Sequence, residues 1–280
     1  MTQEEIKAEV IALQDMGHKR LALEAGEHPV LNPLEYILES IDTIYGIKHK
    51  AGAIRRVNVN IAATTVENYH RLHDAKIAYI LFQETYNRED YEKLHPRGPK
   101  ANYVWHTEAM DRAMQAGIED VGLGVLFGLH NYASEFVGLL MHAEHLEAVY
   151  GAGPHTISVP RLCAADDIDT GDFANALPDD IFLKIIALLR LSVPYTGMII
   201  STREGERIRR EALKLGISQI SGGSRTSVGG YAAHAEPEPD RAPVFNSAPP
   251  RLGEALGGGE PGGEVPGFLL DRFWYRAGWG

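Results

Sequence analysis

Along residues 1–231, short apolar runs alternate with longer segments whose hydrophobic residues recur at helical spacing. The short runs have four to seven residues and are rich in Val, Ile and Leu, which is typical of parallel strands buried on both faces. Seven such strands are predicted, at residues 20–24, 57–61, 79–82, 121–127, 156–159, 198–201 and 217–220. The helical pattern predicts helices at residues 3–16, 33–50, 66–75, 102–116, 134–150, 179–191 and 204–215.

This alternation of strand and helix predicts an α/β fold with one βα unit after another. A TIM-type (β/α) barrel needs eight strands, whereas seven are found and the chain opens on a helix. The sequence therefore predicts an incomplete TIM-type barrel over residues 1–231, whose first strand would lie before Met1. Residues 232–280 are rich in Pro and Gly and are predicted to form a separate tail.

Composition narrows the class of protein. The formal net charge of −11 argues against non-specific binding to nucleic acid or to an anionic membrane. No apolar run approaches the ~20 residues that span a bilayer, and the acidic N-terminus is unlike a signal peptide. The one cysteine, Cys163, excludes an intrachain disulfide and indicates a reducing cytoplasm.

Polar residues follow the predicted strands at the end where barrel enzymes place their chemistry. These strand ends carry Glu27, Glu84 and Arg161. The last of them is the run ISQISGGSRTSVGGY at residues 217–231, whose glycines permit close approach of backbone to a ligand. Its Arg225 can bind a carboxylate with two hydrogen bonds. Acids and arginines together favour a ligand with both ammonium and carboxylate groups, such as an amino acid.

Other interpretations of these residues remain open. A polar residue at any single strand end can serve a turn or a cap. The run at residues 217–231 is also typical of a flexible surface loop, and its SGGSR segment could bind a phosphate. The sequence contains neither a Walker-type nor a Rossmann glycine motif, which disfavours polyphosphate as the ligand of the predicted mouth.

A series of longer motifs is similar to a known family. In order, the chain contains AGEHP, RRVNVNIAATTVENY, YILFQETY, EKLHPRGPK, HTEAMDRAM, GVLFGL, LLMHAEHLE, GPHTISVPRL, VPYTGMIISTRE and ISQISGGSRTSVGGY. Over residues 2–240 this series resembles the HydG family of FeFe-hydrogenase maturases. These are radical S-adenosylmethionine (SAM) enzymes similar to the tyrosine lyase ThiH.

The resemblance implies a role for individual residues. Ala25, Gly26 and Glu27 stand where the family holds the amino group of SAM, with Ala25 replacing a glycine. Glu84 is implied to lie beside SAM and substrate as a catalytic residue. The remaining implied SAM contacts are Gly124 and Val125, at the adenine, and Arg161, at the carboxylate.

The resemblance also implies substrate and metal residues. Ser221, Ser224, Arg225 and Thr226 would surround the amino and carboxylate groups of tyrosine, with Arg225 as the main partner of the carboxylate. The family uses a histidine on an iron attached to a second cluster, for which His145 and His155 are candidates. A structural histidine, hydrogen-bonded in the core or at the surface, is the alternative at both positions.

The activity implied by the resemblance is radical cleavage of the tyrosine Cα–Cβ bond, which yields p-cresol and dehydroglycine. In HydG the dehydroglycine gives carbon monoxide and cyanide for the hydrogenase cofactor, with other maturation proteins as partners. In ThiH the same fragment enters the thiazole of thiamine, and this alternative stays open.

The chain departs from the family at its cluster ligands. The family's CxxxCxxC loop would precede Met1, and its second-cluster cysteines would lie within residues 268–276, where this chain has none. The sequence therefore predicts that this chain ligates neither 4Fe-4S cluster and is inactive alone. Two explanations compete: an incomplete or misread copy of an active maturase, and a cluster-free homologue without catalytic function.

Overall fold

The computed structural model describes residues 1–26, 28–50, 52–162, 175–201, 203–221 and 228–232. Helices and strands alternate through these residues much as the hydrophobic pattern predicts. In chain order they are α1 (Gln3–Asp15), β1 (Arg20–Glu24), α2 (Leu34–Gly46), β2 (Lys48–His49), β3 (Gly52–Ala53), β4 (Arg56–Asn60), α3 (Val66–Asp74), β5 (Ala78–Phe82), α4 (Arg88–Leu94), a 3-10 turn (Pro99–Ala101), α5 (Tyr103–Thr107), α6 (Ala109–Gln115), β6 (Val121–Gly124), α7 (Tyr132–Tyr150), β7 (Thr156–Ser158), α8 (Asp179–Ser192), β8 (Gly197–Ser201), α9 (Glu206–Lys214) and β9 (Gln219–Ser221).

Seven of the strands form one parallel sheet in the order β1-β4-β5-β6-β7-β8-β9. Each of these seven strands pairs with the member of the sheet that follows it in the chain, which is the connectivity of successive βα units. The sheet curls into an open barrel, and within the described residues β1 and β9 are its two edge strands. The predicted TIM-type fold with seven strands is confirmed.

The hydrophobic core lies between the sheet and the surrounding helices. Val57 and Val59 of β4 are fully buried, while the intervening Asn58 is only partly buried on the other face. This alternation turns aliphatic residues toward the helices and amides toward the inside of the barrel. Tyr69 of α3 and Phe182 of α8 are fully buried against the sheet, and they anchor their helices to it.

Local chemistry explains where several helices begin and end. Thr2 and Glu5 form a capping box at α1, in which each side chain accepts a hydrogen bond from the other's backbone N–H. The side chain of Asn131 accepts hydrogen bonds from the first N–H groups of α7. That helix ends at Gly151, whose φ of 76° is a left-handed conformation that glycine adopts without strain.

Three helical segments differ from the predicted pattern, and the strand predicted at residues 121–127 ends at Gly124. The predicted helix 33–50 ends at Gly46 and is followed by a short hairpin of β2 and β3, in which Lys50 has a φ of 53°. The predicted helix 102–116 is two short helices, α5 and α6. Helix α4 was not predicted, because its sequence REDYEKL offers few hydrophobic residues to define a period.

The two ends of the described chain meet on α1. Glu9 is largely buried, and its carboxylate accepts hydrogen bonds from the backbone N–H groups of Tyr231, at 2.9 Å, and Ala232, at 2.5 Å. Residues 228–232 thereby return to the helix that precedes β1. Among the described residues, no helix is both long and apolar enough to cross a membrane.

Candidate functional site

A cleft of about 370 Å³ opens at the carboxyl ends of β1, β4 and β5. Ten residues line it: Glu24, Ala25, Gly26, Asn60, Ile61, Ala62, Leu81, Phe82, Glu84 and Lys100. Two of these are acids and one is a cation, and the Lys100 ammonium donates to the Glu84 carboxylate at 2.6 Å. The cleft therefore offers both signs of charge to a ligand.

Glu84, which lines this cleft, adopts an unusual backbone conformation. Its φ is 67°, in the left-handed region that non-glycine residues seldom occupy. The Leu126 N–H donates to the Glu84 carbonyl at 2.9 Å, which links the turn after β5 to the segment after β6. Strained conformations of this kind persist where surrounding contacts enforce them, and they cluster at functional sites.

A buried carboxylate behind Glu84 fixes that turn. Glu135 of α7 is fully buried and accepts hydrogen bonds from the Thr85 hydroxyl and from the Tyr86 N–H, the latter at 2.8 Å. Burial raises the pKa of Glu135, although these hydrogen bonds act in the opposite direction. Sequence reasoning missed Glu135 because an acid on a helix with exposed neighbours is normally a surface residue.

Tyrosine side chains beside the cleft position Lys100 and the turn after β5. The hydroxyl of the fully buried Tyr91 donates to the Lys100 carbonyl at 2.7 Å. The hydroxyl of Tyr103 donates to the carbonyl of Tyr86 at 2.9 Å, so the start of α5 and the turn after β5 are tied together. Lys100 was also missed from the sequence, since its proximity to Glu84 depends on helix α4.

On the opposite wall, Ala25 and Gly26 follow β1 as predicted and line the cleft. The Ala25 N–H donates to the Asn60 carbonyl at 3.2 Å, which continues the pairing of β1 with β4. The Asn32 side chain donates to the Gly26 carbonyl at 3.0 Å and holds the loop in place. Glu27 lies outside the described residues.

Gly124 and Val125 do not line the described cleft. A Cβ atom on Gly124 would lie 2.5 Å from Cδ1 of Phe82, so the phenyl ring packs directly on the glycine backbone. Val125 is fully buried. Their predicted contact with adenine stays a prediction, and it would require the ligand to reach the backbone beside the Phe82 ring.

Arg161 lies after β7 and is surrounded by protein groups. Its guanidinium donates to both oxygens of Glu204, at 2.8 and 2.7 Å, to Asp179 at 2.8 Å and to the Leu177 carbonyl at 2.9 Å. It also lies over the Phe182 ring, 4.6 Å from the centroid. These contacts link β7, α8 and the turn before α9, so Arg161 has a structural role whether or not it also binds SAM.

The two candidate iron ligands lie away from the cleft. His145 is on the outer helix α7, where Nε2 lies 2.6 Å from Asp111. His155 precedes β7 at the opposite end of the sheet, where Nδ1 lies 2.9 Å from Asp120. Burial, with Arg56 and Arg20 nearby, lowers the pKa of His155 to about 3. Each histidine thus has a carboxylate neighbour, and the described residues contain no group of three potential metal ligands. The assignment of either histidine to an iron stays a prediction.

The predicted substrate residues are described only in part. Ser221 ends β9 and is exposed at the open edge of the sheet. Ser224, Arg225 and Thr226 lie outside the described residues, as do residues 233–280, which contain nearly all of the predicted tail. The assignment of these residues to tyrosine stays a prediction.

Comparison with known families identifies the fold's relatives. A model of the "Radical SAM superfamily" matches residues 1–143, just over half of the 280-residue chain. The chain belongs to the radical SAM superfamily. A model of the "Biotin and Thiamin Synthesis associated domain" matches residues 158–245, across the predicted boundary at residue 231.

Two solved structures show the relationship of this radical SAM chain in more detail. A crystal structure of HydG, a maturase of the FeFe-hydrogenase, is 54% identical with a TM-score of 0.86, over 91% of this chain and 55% of that one. HydG from Carboxydothermus hydrogenoformans is 41% identical with a TM-score of 0.81, over 98% of this chain and 59% of that one. The predicted resemblance to HydG is confirmed.

Two curated relatives of this chain are named 2-iminoacetate synthase. The protein from Salmonella typhimurium is 30% identical over 234 residues, which are 81% of this chain and 59% of that protein. The Escherichia coli protein is 28% identical over 252 residues, 87% of this chain and 64% of that protein. The chain thus spans about three fifths of the length of these relatives.

The residues present fit one superfamily cofactor and not the other. A 4Fe-4S cluster needs several thiolates, whereas residues 1–280 contain the single cysteine Cys163. SAM needs partners for an ammonium, a carboxylate and ribose hydroxyls. Glu84, Lys100 and the Gly26 carbonyl at the cleft are groups of those types.

Proposed function

We propose that this chain is the SAM-binding and substrate-binding part of a radical SAM tyrosine lyase that cleaves the Cα–Cβ bond of tyrosine to p-cresol and dehydroglycine. The observation that carries the proposal is the Glu84–Lys100 pair at the barrel mouth, in a chain 54% identical to a HydG structure. Following HydG, the dehydroglycine would give carbon monoxide and cyanide for the hydrogenase H-cluster, in the cytoplasm and together with other maturation proteins.

The second candidate is a lyase that serves thiamine thiazole synthesis, as ThiH does. It is supported by the two curated relatives, because 2-iminoacetate is the same compound as dehydroglycine. Both candidates therefore share the bond cleavage and differ in the fate of the fragment. A cluster-free homologue that binds the same ligands without catalysis is the third candidate, supported by the single cysteine.

The residues of this chain would bind and orient, because the superfamily's radical chemistry is supplied by SAM. An ammonium group of the ligand would lie near Glu84 and Glu24, which are the two carboxylates of the cleft. A carboxylate would lie near Lys100. The left-handed turn at Glu84 fixes the carboxylate of Glu84 itself before a ligand arrives, which reduces the ordering cost of binding.

Ligand binding tests the first half of the proposal without requiring a cluster. SAM and tyrosine are titrated into the chain by calorimetry, and Glu84→Gln and Lys100→Met are compared with Lys93→Met. Lys93 is an exposed lysine that pairs with Glu89 on α4, so it is a matched control. We expect SAM to bind to the unmodified chain. Both cleft variants should lower the affinity for SAM about tenfold or more, because charged hydrogen bonds contribute about 1.5–3 kcal/mol. Equal affinities in all four proteins would contradict the proposed site.

The lyase activity requires a 4Fe-4S cluster, for which the single Cys163 offers too few thiolates, so its test begins with the gene. The DNA upstream of the Met1 codon is sequenced, and an in-frame CxxxCxxC motif is expected. The longer protein is then reconstituted with iron and sulfide and assayed for p-cresol, carbon monoxide and cyanide. p-Cresol without the other two products would favour the thiazole lyase. An upstream sequence without the motif would favour the cluster-free homologue.

A further inference from the structure

A second cleft, of about 330 Å³, lies at the end of the sheet opposite to Glu84. It is lined by Lys19, Lys48, Lys50, Arg55 and the two residues of β3. Lys19 immediately precedes β1 and Arg55 immediately precedes β4, and the Arg55 N–H donates to the Lys19 carbonyl at 2.7 Å. The parallel pairing of β1 and β4 therefore holds these two cations side by side. We call this site the basic cleft.

The charge of the basic cleft is unusual for this protein. The chain carries a net charge of −11, yet four cations and no carboxylate line the cleft. Lys50 is paired with Asp15, whereas Lys19, Lys48 and Arg55 make no ion pair with any carboxylate among the described residues. Cations gathered in a concave site repel one another and focus a positive potential, which a bound anion would neutralise.

The floor of the basic cleft is built in advance. A Cβ atom on Gly52 would lie 3.0 Å from the Lys19 ammonium, so this ammonium rests over the glycine backbone. The Gln14 side chain donates to the Ile47 carbonyl at 3.3 Å and accepts from the His49 N–H at 3.2 Å. These bonds attach the hairpin of β2 and β3 to α1, which fixes Lys48 relative to Lys19.

The lining defines the class of ligand. It contains no aromatic ring on which a nucleoside base could stack, and lysine ammonium groups bind phosphate oxygens as point charges. The acidic surface as a whole disfavours long polyanions, whereas a small concave site can hold a compact one. We propose that the basic cleft binds a compact polyvalent phosphate of the pyrophosphate class. This inference is independent of the function proposed for the Glu84 mouth.

The test is calorimetric titration of pyrophosphate into the full chain at low ionic strength. The double variant Lys48→Ala with Arg55→Ala is compared with Lys93→Ala with Lys214→Ala, which makes the same change in net charge at distant exposed lysines. We expect the Lys48 and Arg55 double variant to lose at least tenfold in affinity for pyrophosphate, and the Lys93 and Lys214 double variant to lose none. Added salt should weaken binding to the unmodified chain, because it screens the cations.

Two further variants distinguish pyrophosphate binding at the basic cleft from an effect of misfolding and from binding at the cleft that contains Glu84. Lys19→Gln removes one charge at the floor and should weaken pyrophosphate binding at least threefold, while the far-UV circular dichroism stays unchanged. Glu84→Gln should leave pyrophosphate binding unaltered. The inference is overturned if the unmodified chain binds no pyrophosphate at millimolar concentration, or if the Lys48 and Arg55 double variant binds it as tightly as the control.

Discussion

The backbone N–H of Tyr86 donates a 2.8 Å hydrogen bond to the carboxylate of Glu135, which ties helix α7 to the turn that follows β5. The Thr85 hydroxyl donates to the same carboxylate. Both donors lie directly after Glu84, whose φ of 67° is the described backbone outlier at the cleft. Glu135 is therefore the group that holds the strained turn from behind.

We expect Glu135→Gln to weaken SAM binding and to lower the free energy of unfolding. An amide has one accepting oxygen, so its NH₂ group would face either the Thr85 hydroxyl or the Tyr86 N–H. The loss of one charged hydrogen bond should lower the unfolding free energy by about 1–3 kcal/mol. The measurements are urea unfolding and calorimetric titration of SAM, with SAM affinity expected to fall about tenfold.

Glu144→Gln is the matched control, since Glu144 is exposed on the same helix. It should change neither quantity. If Glu135→Gln lowers stability but leaves SAM affinity intact, Glu135 supports only the fold and the link to Glu84 is wrong.

Gly124→Ala should destabilise the sheet. The added methyl group would lie 2.5 Å from Cδ1 of Phe82, so the ring or the strand must move. Overpacking of this kind costs about 1–3 kcal/mol, measured as a shift in the urea midpoint. A Cβ atom at Gly46 would have no heavy atom within 4 Å, so Gly46→Ala should leave the free energy of unfolding unchanged or raise it slightly. Adding Phe82→Leu to Gly124→Ala should recover part of the loss, and an additive double variant would contradict the proposed clash.

Arg161→Lys should lower the unfolding free energy by about 3 kcal/mol, because a lysine cannot donate both parallel bonds to the buried Glu204. Arg207→Lys, at an exposed arginine that also pairs with Asp179, should change it by under about 0.5 kcal/mol. Thermal unfolding measures both. SAM titration of the folded Arg161→Lys protein then tests the sequence prediction, since unchanged affinity would remove Arg161 from the SAM contacts.

His142 should make stability sensitive to acid. Its Nδ1 lies 2.9 Å from the Tyr86 hydroxyl, and burial lowers its pKa to about 4. The unfolded chain, with a pKa of about 6.5, binds the proton more readily. The contribution of the neutral His142 side chain to the free energy of unfolding is therefore complete above pH 6.5, and it is lost as the pH falls toward 4. At pH 5 the loss should be about 2 kcal/mol.

His142→Gln cannot titrate, so its unfolding free energy should fall less between pH 7.5 and pH 5 than that of the unmodified chain. Urea unfolding at the two pH values gives the difference. The exposed His70→Gln should retain the full dependence. A His142→Gln protein with an unchanged pH dependence would show that His142 is protonated as readily in the folded state as in the unfolded one.

The strands could be predicted from sequence because each is a short aliphatic run between polar turns, and six of the seven differ by at most two residues at either end. Only the run at residues 121–127 was placed three residues too long. Glu84 and the Ala25–Gly26 pair were found because they follow strands directly. Lys100 and Glu135 could not be found in this way. Their position at the cleft depends on the packing of α4 and α7, and no local period encodes that packing.

The carboxylate of Glu9 joins backbone groups 222 and 223 residues further along the chain. Closing so long a loop is entropically costly, so this contact can form only after the intervening strands have assembled. It therefore belongs to the last step of folding rather than to the nucleus. The amide protons of Tyr231 and Ala232 should accordingly exchange with solvent through local opening, long before those of the central strands.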